Sequence, residues 1–355
     1  MVRRIDERDT MFARVNYKKD GDAYKDYYSK NPDKKQIDDS FRNRTELCGE
    51  GSMTYNKLNS PIAESAFRFL SDIMNLSEGD VSSKKIESDS KTFSKKVKGI
   101  AKHYGASVIG ITKLKKEHIY THRGRHEENY GEEINLNHKY AIVFGCEMDK
   151  DMINRSPMIA EVVETSKCYV DAAIIGMILS YYIRRLGYEA RNHMDGNYLV
   201  IPTLIAKDAG IGQIGRNAIL TNKDYGSRLR LGVVTTNLPL EEDEEVDFGL
   251  DDFCKICKKC ALHCPTQSLS RDIKVGPNNE YNWTIDVKTC YEKWRYLGTD
   301  CGMCISVCPF SQNLDHIKNC DSFKKNAKAI KLALDEYRSK FGSRVFVPGN
   351  PPWLR

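Results

Sequence analysis

"FCKICKKCALHCPTQSL", starting at Phe253, and "TCYEKWRYLGTDCGMCISVCPFS", starting at Thr289, place eight cysteines in one short part of the chain. In the first stretch Cys254, Cys257, Cys260 and Cys264 follow CxxCxxCxxxCP, closed by Pro265. Three thiolates on one tight loop can meet three corners of a cube, while the residues that follow carry the fourth thiolate away to a second cube. That is the run that holds iron–sulfur clusters. The second stretch lacks the usual leading pair: Cys290 stands well upstream, and Cys301, Cys304 and Cys308 give CxxCxxxCP with Pro309. Two [4Fe–4S] clusters use every thiol, Cys254, Cys257, Cys260 and Cys308 for one and Cys264, Cys290, Cys301 and Cys304 for the other. CxxC pairs also bind zinc, but a third cysteine at the same spacing and a CP ending, twice over, is not a zinc-ribbon pattern. Such clusters pass one electron at a time, so the rest of the chain must hold the electron's destination.

The wider composition sets bounds. With 355 residues, 40% of them hydrophobic and 29% charged, the chain is long enough for two domains and buries a core with ease. The net charge of +6 is spread through mixed-sign runs such as 241–245 and 324–331, a solvated surface without a nucleic-acid footprint. No apolar run reaches a membrane span; the best, "AAIIGMILSYYI" at 172–183, is interrupted and followed by Arg184 and Arg185, and reads as a buried helix. Arg3 and Arg4 precede no apolar stretch of signal-peptide type, so the expected compartment is the cytoplasm, or an exported location if a leader preceded this sequence. Clustered thiols there point to metal and not to disulfides.

Along the chain, residues 1–90 are polar, with one apolar helical stretch at 60–74, and read as an N-terminal wrapping segment. From 91 to 245 the periodicity sharpens: an amphipathic helix ending at Gly105, apolar strands at "ASVIGITKL", 139–148 and 232–240, and a helix over 161–186 with Gly187 behind it. This alternation predicts an α/β core. Residues 246–320 form a small cysteine-rich module, and 321–355 a helix and Pro-rich tail. A literal GxGxxG occurs at Gly210, Gly212 and Gly215, but "RNAILTNKDYG" behind it does not open a helix and no acidic residue stands at the expected distance, so a dinucleotide site is disfavoured. The loop, with Arg216 and Asn217, is taken instead as backbone able to approach a flat cofactor closely.

The cysteine motifs, joined to "IDERDTMFAR", "YYIRRLGYEA", "DAGIGQIGRNAIL", "NLPLEEDEEVDFGLDDFC" and "WTIDVKTCYEKW", give a chain that resembles the reductive dehalogenases over most of residues 4–310. The resemblance implies a nitroreductase-like corrinoid-binding domain over 91–245 and a C-terminal ferredoxin-like module with two [4Fe–4S] clusters. It also implies a base-off cobalamin, an organohalide substrate, a low-potential donor such as ferredoxin or flavodoxin, and no membrane span; a homodimer is left open. The DxHxxG cobalt-ligand motif of other corrinoid proteins is absent, in keeping with base-off binding. Epoxyqueuosine reductases are similar too, but usually carry the second motif in full and a C-terminal helical repeat, so the dehalogenase branch fits better. Reduction of a non-halogenated substrate, or a non-catalytic corrinoid or electron-transfer role, are the competing readings.

By position in the family, Tyr169 is the proton donor and Arg230 the basic residue beside it, with Arg228 the alternative. Ala172, Ala173 and Gly176 give a small-residue face beside Tyr169 that would admit a macrocycle edge or substrate. A phenol ionising near pH ~10 needs a nearby cation to act as an acid at neutral pH. Asp195 stands where many members carry Asn, which puts a carboxylate near the substrate, and His193 reads as a loop histidine. Cys48, Cys146, Cys168 and Cys320 are ordinary thiols, although Cys168 adjoins Tyr169.

Overall fold

Apolar runs with β-branched residues build the centre of the computed structural model, which describes residues 4–272, 274–275 and 281–355. Met1–Arg3 of the wrapping segment, and residues 273 and 276–280 of the cysteine-rich module, lie outside the described residues. In chain order the strands are β1 (Val108–Lys113), β2 (Tyr140–Glu147), β3 (Ala190–His193), β4 (Gln213–Ile214), β5 (Leu220–Thr221), β6 (Leu229–Thr236), β7 (Lys274–Val275) and β8 (Tyr281–Asn282). The main sheet has the order β1-β2-β6-β3, every pair antiparallel. Along β2 the side chains alternate: Ile142, Phe144 and Cys146 enter one core, Ala141 and Val143 the other. Both faces are covered, which is why the strand reads as a continuous apolar run.

The helices are α1 (Met11–Asn16), α2 (Asp22–Lys30), α3 (Pro32–Arg42), α4 (Ser60–Asp72), α5 (Ser90–His103), α6 (Lys150–Ile153), α7 (Ile159–Arg185), α8 (Pro202–Asp208), α9 (Leu250–Cys257), α10 (Lys259–Leu262), α11 (Val287–Leu297), α12 (Met303–Ser306), α13 (Asp315–Lys318) and α14 (Ala327–Phe341). Helix α5 starts on an Asp89 cap that accepts from Thr92 N, and it lays Phe93, Val97 and Ala101 on the sheet beside Ile175, Leu179 and Ile183 of α7. Burying one such large apolar side chain stabilises the fold by about 1.5–3 kcal/mol. The opposite face is covered by Ile205 and Ala206 of α8. Helix α7 packs against the sheet, α4 and α5, leaving an exposed stripe of Lys167, Ile174, Ile178 and Tyr181, and it ends at Gly187, whose φ of +85° and closeness to Lys84 O (2.8 Å from an added Cβ) disfavour any other residue.

Three expectations are modified. The wrapping segment has, besides α4, helices α1–α3; the buried face of α2 is made of Tyr24, Tyr27 and Tyr28, so a polar composition hides an amphipathic helix. Strand β3 is not visible in the sequence because Arg191, Asn192 and His193 are polar, yet all three are buried. The strand expected at 232–240 runs instead from Leu229 to Thr236, where the Thr236 hydroxyl accepts from Leu238 N and Pro239 follows. The helix expected at 60–74 and that at 161–186 are present as α4 and α7.

The wrapping segment crosses to the cysteine-rich module. Arg295 Nη2 donates to Arg44 O at 2.7 Å, Cys48 N to Gly298 O at 2.7 Å and Thr54 N to Leu297 O at 3.0 Å. Phe41 packs its edge on Tyr291, the neighbour of Cys290. The module's own core is aromatic, Phe253, Phe310 and Phe323 with Tyr337 of α14, so the helix of the 321–355 segment packs into it. No helix among the described residues is long and apolar enough to cross a membrane.

Candidate functional site

Helix α7 carries Glu161, Thr165 and Tyr169 at successive four-residue steps, one face of an otherwise apolar helix. Strand β6 brings Arg230 against that face. Its Nη2 donates to Asp300 Oδ2 at 2.6 Å and to Thr165 Oγ1 at 2.8 Å, its Nη1 reaches the Tyr169 hydroxyl at 3.5 Å, and its carbon centre lies 5.0 Å from the Tyr169 ring centroid. Asp300 immediately precedes Cys301, so one guanidinium ties the phenol to the cysteine-rich module. The Thr165 hydroxyl sits between the carboxylates of Glu161 (3.4 Å) and Asp300 (3.3 Å).

The charges follow from this packing. Burial pushes the Glu161 carboxyl well above the usual carboxylate range, and Asp300 beside it pushes the same way. Burial works against charge on Arg230, but Tyr169, Asp300 and Glu161 outweigh it and its pKa is raised, so the cation is fixed. The Tyr169 phenol is raised, chiefly by burial; Arg230 pulls it down and Asp195 and Asp300 push it up. A cation does stand beside it as expected, yet the net shift is upward because desolvation wins.

Asp195 makes a 3.9 Å ion pair with Arg125, and both act electrostatically on Tyr169 and on Tyr198, whose hydroxyl donates to Leu231 O at 2.8 Å. Tyr169, Arg230, Asp195, Arg125 and Tyr198 are therefore electrostatic neighbours. Arg228 is held elsewhere: it is fully buried and donates to Ser311 O, Met148 O and Glu147. Cys168 is buried in the sheet core, where its thiol donates to Glu147 O, and Cys48, Cys146 and Cys320 are buried too.

Two readings of the loops change. The small face of α7 is not open: a Cβ at Gly176 would stand 1.9 Å from Asn192 Oδ1, so β3 already fills it. His193 is a strand residue, not a loop one; Leu199 N and Arg191 Nη1 meet its Nδ1, leaving Nε2–H for Thr235 Oγ1 at 2.8 Å, and burial drives its pKa well below the usual value. Both ring nitrogens are taken, and no metal-ligand role remains for it.

The GxGxxG stretch forms the β4–β5 hairpin, with no helix behind it. An added Cβ would meet Glu244 O at 2.1 Å from Gly210 and Thr221 O at 2.4 Å from Gly212, so these two glycines serve close approach of the chain to itself, in place of a flat cofactor. Gly215 is crowded by Thr221 Oγ1 (2.9 Å). Gly215, Arg216 and Asn217 line a small cavity together with Cys254, Cys257, Cys260 and Cys308. The Asn217 amide donates to Ser227, and Arg216 donates twice to Cys254 O.

Four thiols, those of Cys254, Cys257, Cys260 and Cys308, thus meet at that cavity. The other four also gather: the electrostatic neighbours of Cys304 are Cys301, Cys290 and Cys264 before Cys308. The 4Fe-4S dicluster domain model matches residues 253–312. Against curated sequences the chain is 35% identical over 185 residues to a tetrachloroethene reductive dehalogenase of Desulfitobacterium hafniense, covering 49% of this chain and 33% of that one.

In sequence the chain is similar to the reductive dehalogenases over about half of its length.

An epoxyqueuosine reductase of Lactococcus garvieae is a further relative, 31% identical over 121 residues, 33% of each protein. Among solved structures, the catabolic reductive dehalogenase NpRdhA in complex with 3-bromo-4-hydroxybenzoic acid superposes with a TM-score of 0.76 at 22% identity, over 96% of this chain and 47% of that one, which shows the reductive dehalogenase fold. The chain spans about a third of the length of the curated dehalogenases it matches. Residues not anticipated from the sequence are Glu161, Thr165, Asp300, Tyr198 and Arg125. The signal for the first two was present: acid and hydroxyl four residues apart on the same face of an apolar helix as Tyr169.

Proposed function

We propose that this protein is an oxidoreductase that removes halide from an organohalide: R–X, two electrons and one proton give R–H and X⁻. The observation that carries the reading is the Tyr169–Arg230 pair, set one residue contact from the cysteine-rich module through Asp300. The Tyr169 hydroxyl accepts a long contact from Arg230 and donates to no partner among the described residues, so its proton is free for a substrate carbon. Arg230 Nε is likewise buried without a hydrogen-bond partner among the described residues. These features, and the engagement of both His193 nitrogens, fit a base-off corrinoid bound without a protein lower ligand.

A corrinoid, when held by the 91–245 segment, would supply strongly reduced cobalt, and the eight cysteines would hold clusters that pass on electrons singly from a low-potential carrier of ferredoxin or flavodoxin type. The chain's own residues do the rest. Arg230, anchored by Asp300 and Thr165, faces the Tyr169 ring and stabilises the phenolate left when the proton moves to carbon. Burial disfavours that phenolate, so the phenol keeps its proton until substrate carbon demands it. Asp195, paired with Arg125 and not with Tyr169, orients the substrate. This pairing favours Tyr169 over Asp195 as the acid, and with it the halide reading over epoxide reduction.

The test is anaerobic turnover of aryl and alkenyl halides by reconstituted protein with a strong reductant, reading halide release. Release that disappears in Tyr169→Phe supports the assignment. Full cobalt and iron occupancy with no halide released from any substrate would overturn it.

A further inference from the structure

Arg216 is 2% exposed, and among the described residues no carboxylate pairs with it. Its fork is used on carbonyl oxygens: Nε and Nη2 donate to Cys254 O at 3.0 and 2.8 Å, and Nη1 to Ser270 O at 2.9 Å and Arg271 O at 3.1 Å. Its carbon centre lies 4.4 Å from the Trp283 ring centroid. The cation is sealed beside one thiol set, in the wall of the cavity that Cys254, Cys257, Cys260 and Cys308 share. Four carbonyl bonds would be made as well by neutral donors without desolvating a charge.

The two thiol sets differ in what surrounds them. Beside the first, Arg216 donates to Cys254 O, and Lys259 stands between Cys257 and Cys260 in the chain. Beside the second stand carboxylates: Asp286 caps α11, which carries Cys290, and Asp300 precedes Cys301. Asp300 is neutralised by Arg230, whereas Arg216 has no ion-pair partner among the described residues. A one-electron reduction, [4Fe–4S]²⁺ + e⁻ → [4Fe–4S]⁺, adds negative charge to the cluster, and a buried cation in a low-dielectric surrounding favours it.

We propose that Arg216 is a potential-setting residue, which holds the cluster on Cys254, Cys257, Cys260 and Cys308 at a higher reduction potential than the cluster on Cys264, Cys290, Cys301 and Cys304. The first electron from a low-potential carrier then comes to rest on the first set. It is stored there until a second arrives, which a two-electron reaction fed by a one-electron carrier requires. The inference rests on the cluster assignment alone; absence of halide release would leave it standing, and equal potentials would leave the halide reading standing.

The test is a potentiometric titration of the full reconstituted chain with titanium(III) citrate, following the paramagnetic signals of the reduced clusters. Two separate reduction waves are expected, and Cys257→Ser alters the higher one while Cys301→Ser alters the lower. Arg216→Gln moves the higher wave to lower potential and leaves the other in place; Arg216→Lys, which keeps the charge, moves neither appreciably. The proposal fails if Arg216→Gln with full iron content leaves both waves unmoved, if Arg216→Lys shifts the higher wave as far as Arg216→Gln does, or if Cys301→Ser alters the higher wave. Should Arg216→Gln lose iron, Arg216→Met, uncharged and of similar length, is read in its place by the same criteria.

Discussion

Tyr169 and Arg230 meet because an apolar helix presents three polar side chains to one strand, and their chemistry can be perturbed separately. Replacing Tyr169 by Phe removes only the hydroxyl; halide release should fall by about 100- to 10,000-fold, the range for loss of a general acid, with iron and cobalt content unchanged. Unchanged turnover would remove Tyr169 from the reaction. The pH behaviour follows from the direction of its shift. A phenol whose folded pKa is raised above its unfolded value near ~10 favours the neutral form in the fold, a contribution fully present below about pH 10 and lost as pH rises through the raised value. Tyr169 is therefore a protonated acid throughout the neutral range. Arg230→Gln takes away the cation that pulls the phenol down, so its ionisation moves further up. The tyrosinate absorbance that distinguishes native from Tyr169→Phe protein should appear at higher pH in this variant, and appearance at lower pH would contradict the pairing.

At the scale of elements, the contact of α7 with β3 is set by one missing methyl. Gly176→Ala puts a Cβ on Asn192 Oδ1, and because Asn192 is buried and its amide donates to Ala173 O, it cannot simply turn away. A destabilisation of about 1–3 kcal/mol in denaturant unfolding is expected, partly relieved in Gly176→Ala/Asn192→Ala; purely additive effects would argue against the contact. The same contact shows what the sequence could and could not reveal. The strands β1, β2 and β6 and the helix α7 were legible because apolar periodicity is a local signal. Strand β3 was not, because Arg191, Asn192 and His193 satisfy their polarity through partners distant in sequence, Glu78, Ala173 and Thr235. The eight cysteines and their division into two sets were legible from spacing alone, as was the Tyr169–Arg230 pair once the resemblance supplied its place. Asp300 and Arg125 were not, since which charges reach a site depends on tertiary approach and not on pattern. The glycine-rich loop misled in a different way: Gly210 and Gly212 report crowding, and crowding by the chain's own backbone looks in sequence like crowding by a ligand.

Across the whole molecule, the wrapping segment and the cysteine-rich module depend on each other. Phe41 is buried in a cluster with Met11, Val15 and Tyr291, and Tyr291 adjoins Cys290 on α11. Phe41→Ala should cost about 3–5 kcal/mol and lower the iron retained per chain, through loosening of α11. Full iron retention with an unchanged melting temperature would show that the two segments are independent. Removing iron with a chelator should act in the opposite direction along the same path. Because cluster binding stabilises the folded form, apo protein is expected to melt at lower temperature and to be cut by protease first within the cysteine-rich module, while amides of β2 and β6 stay protected from exchange.

The bond from Arg295 to the carbonyl of Arg44 joins residues 251 positions apart. During synthesis the strap leaves the ribosome long before its seat exists, and closure waits for the last quarter of the chain. Cys254, Cys257, Cys260, Cys264 and Cys290 all precede Arg295, so the strap closes over thiols already in the chain.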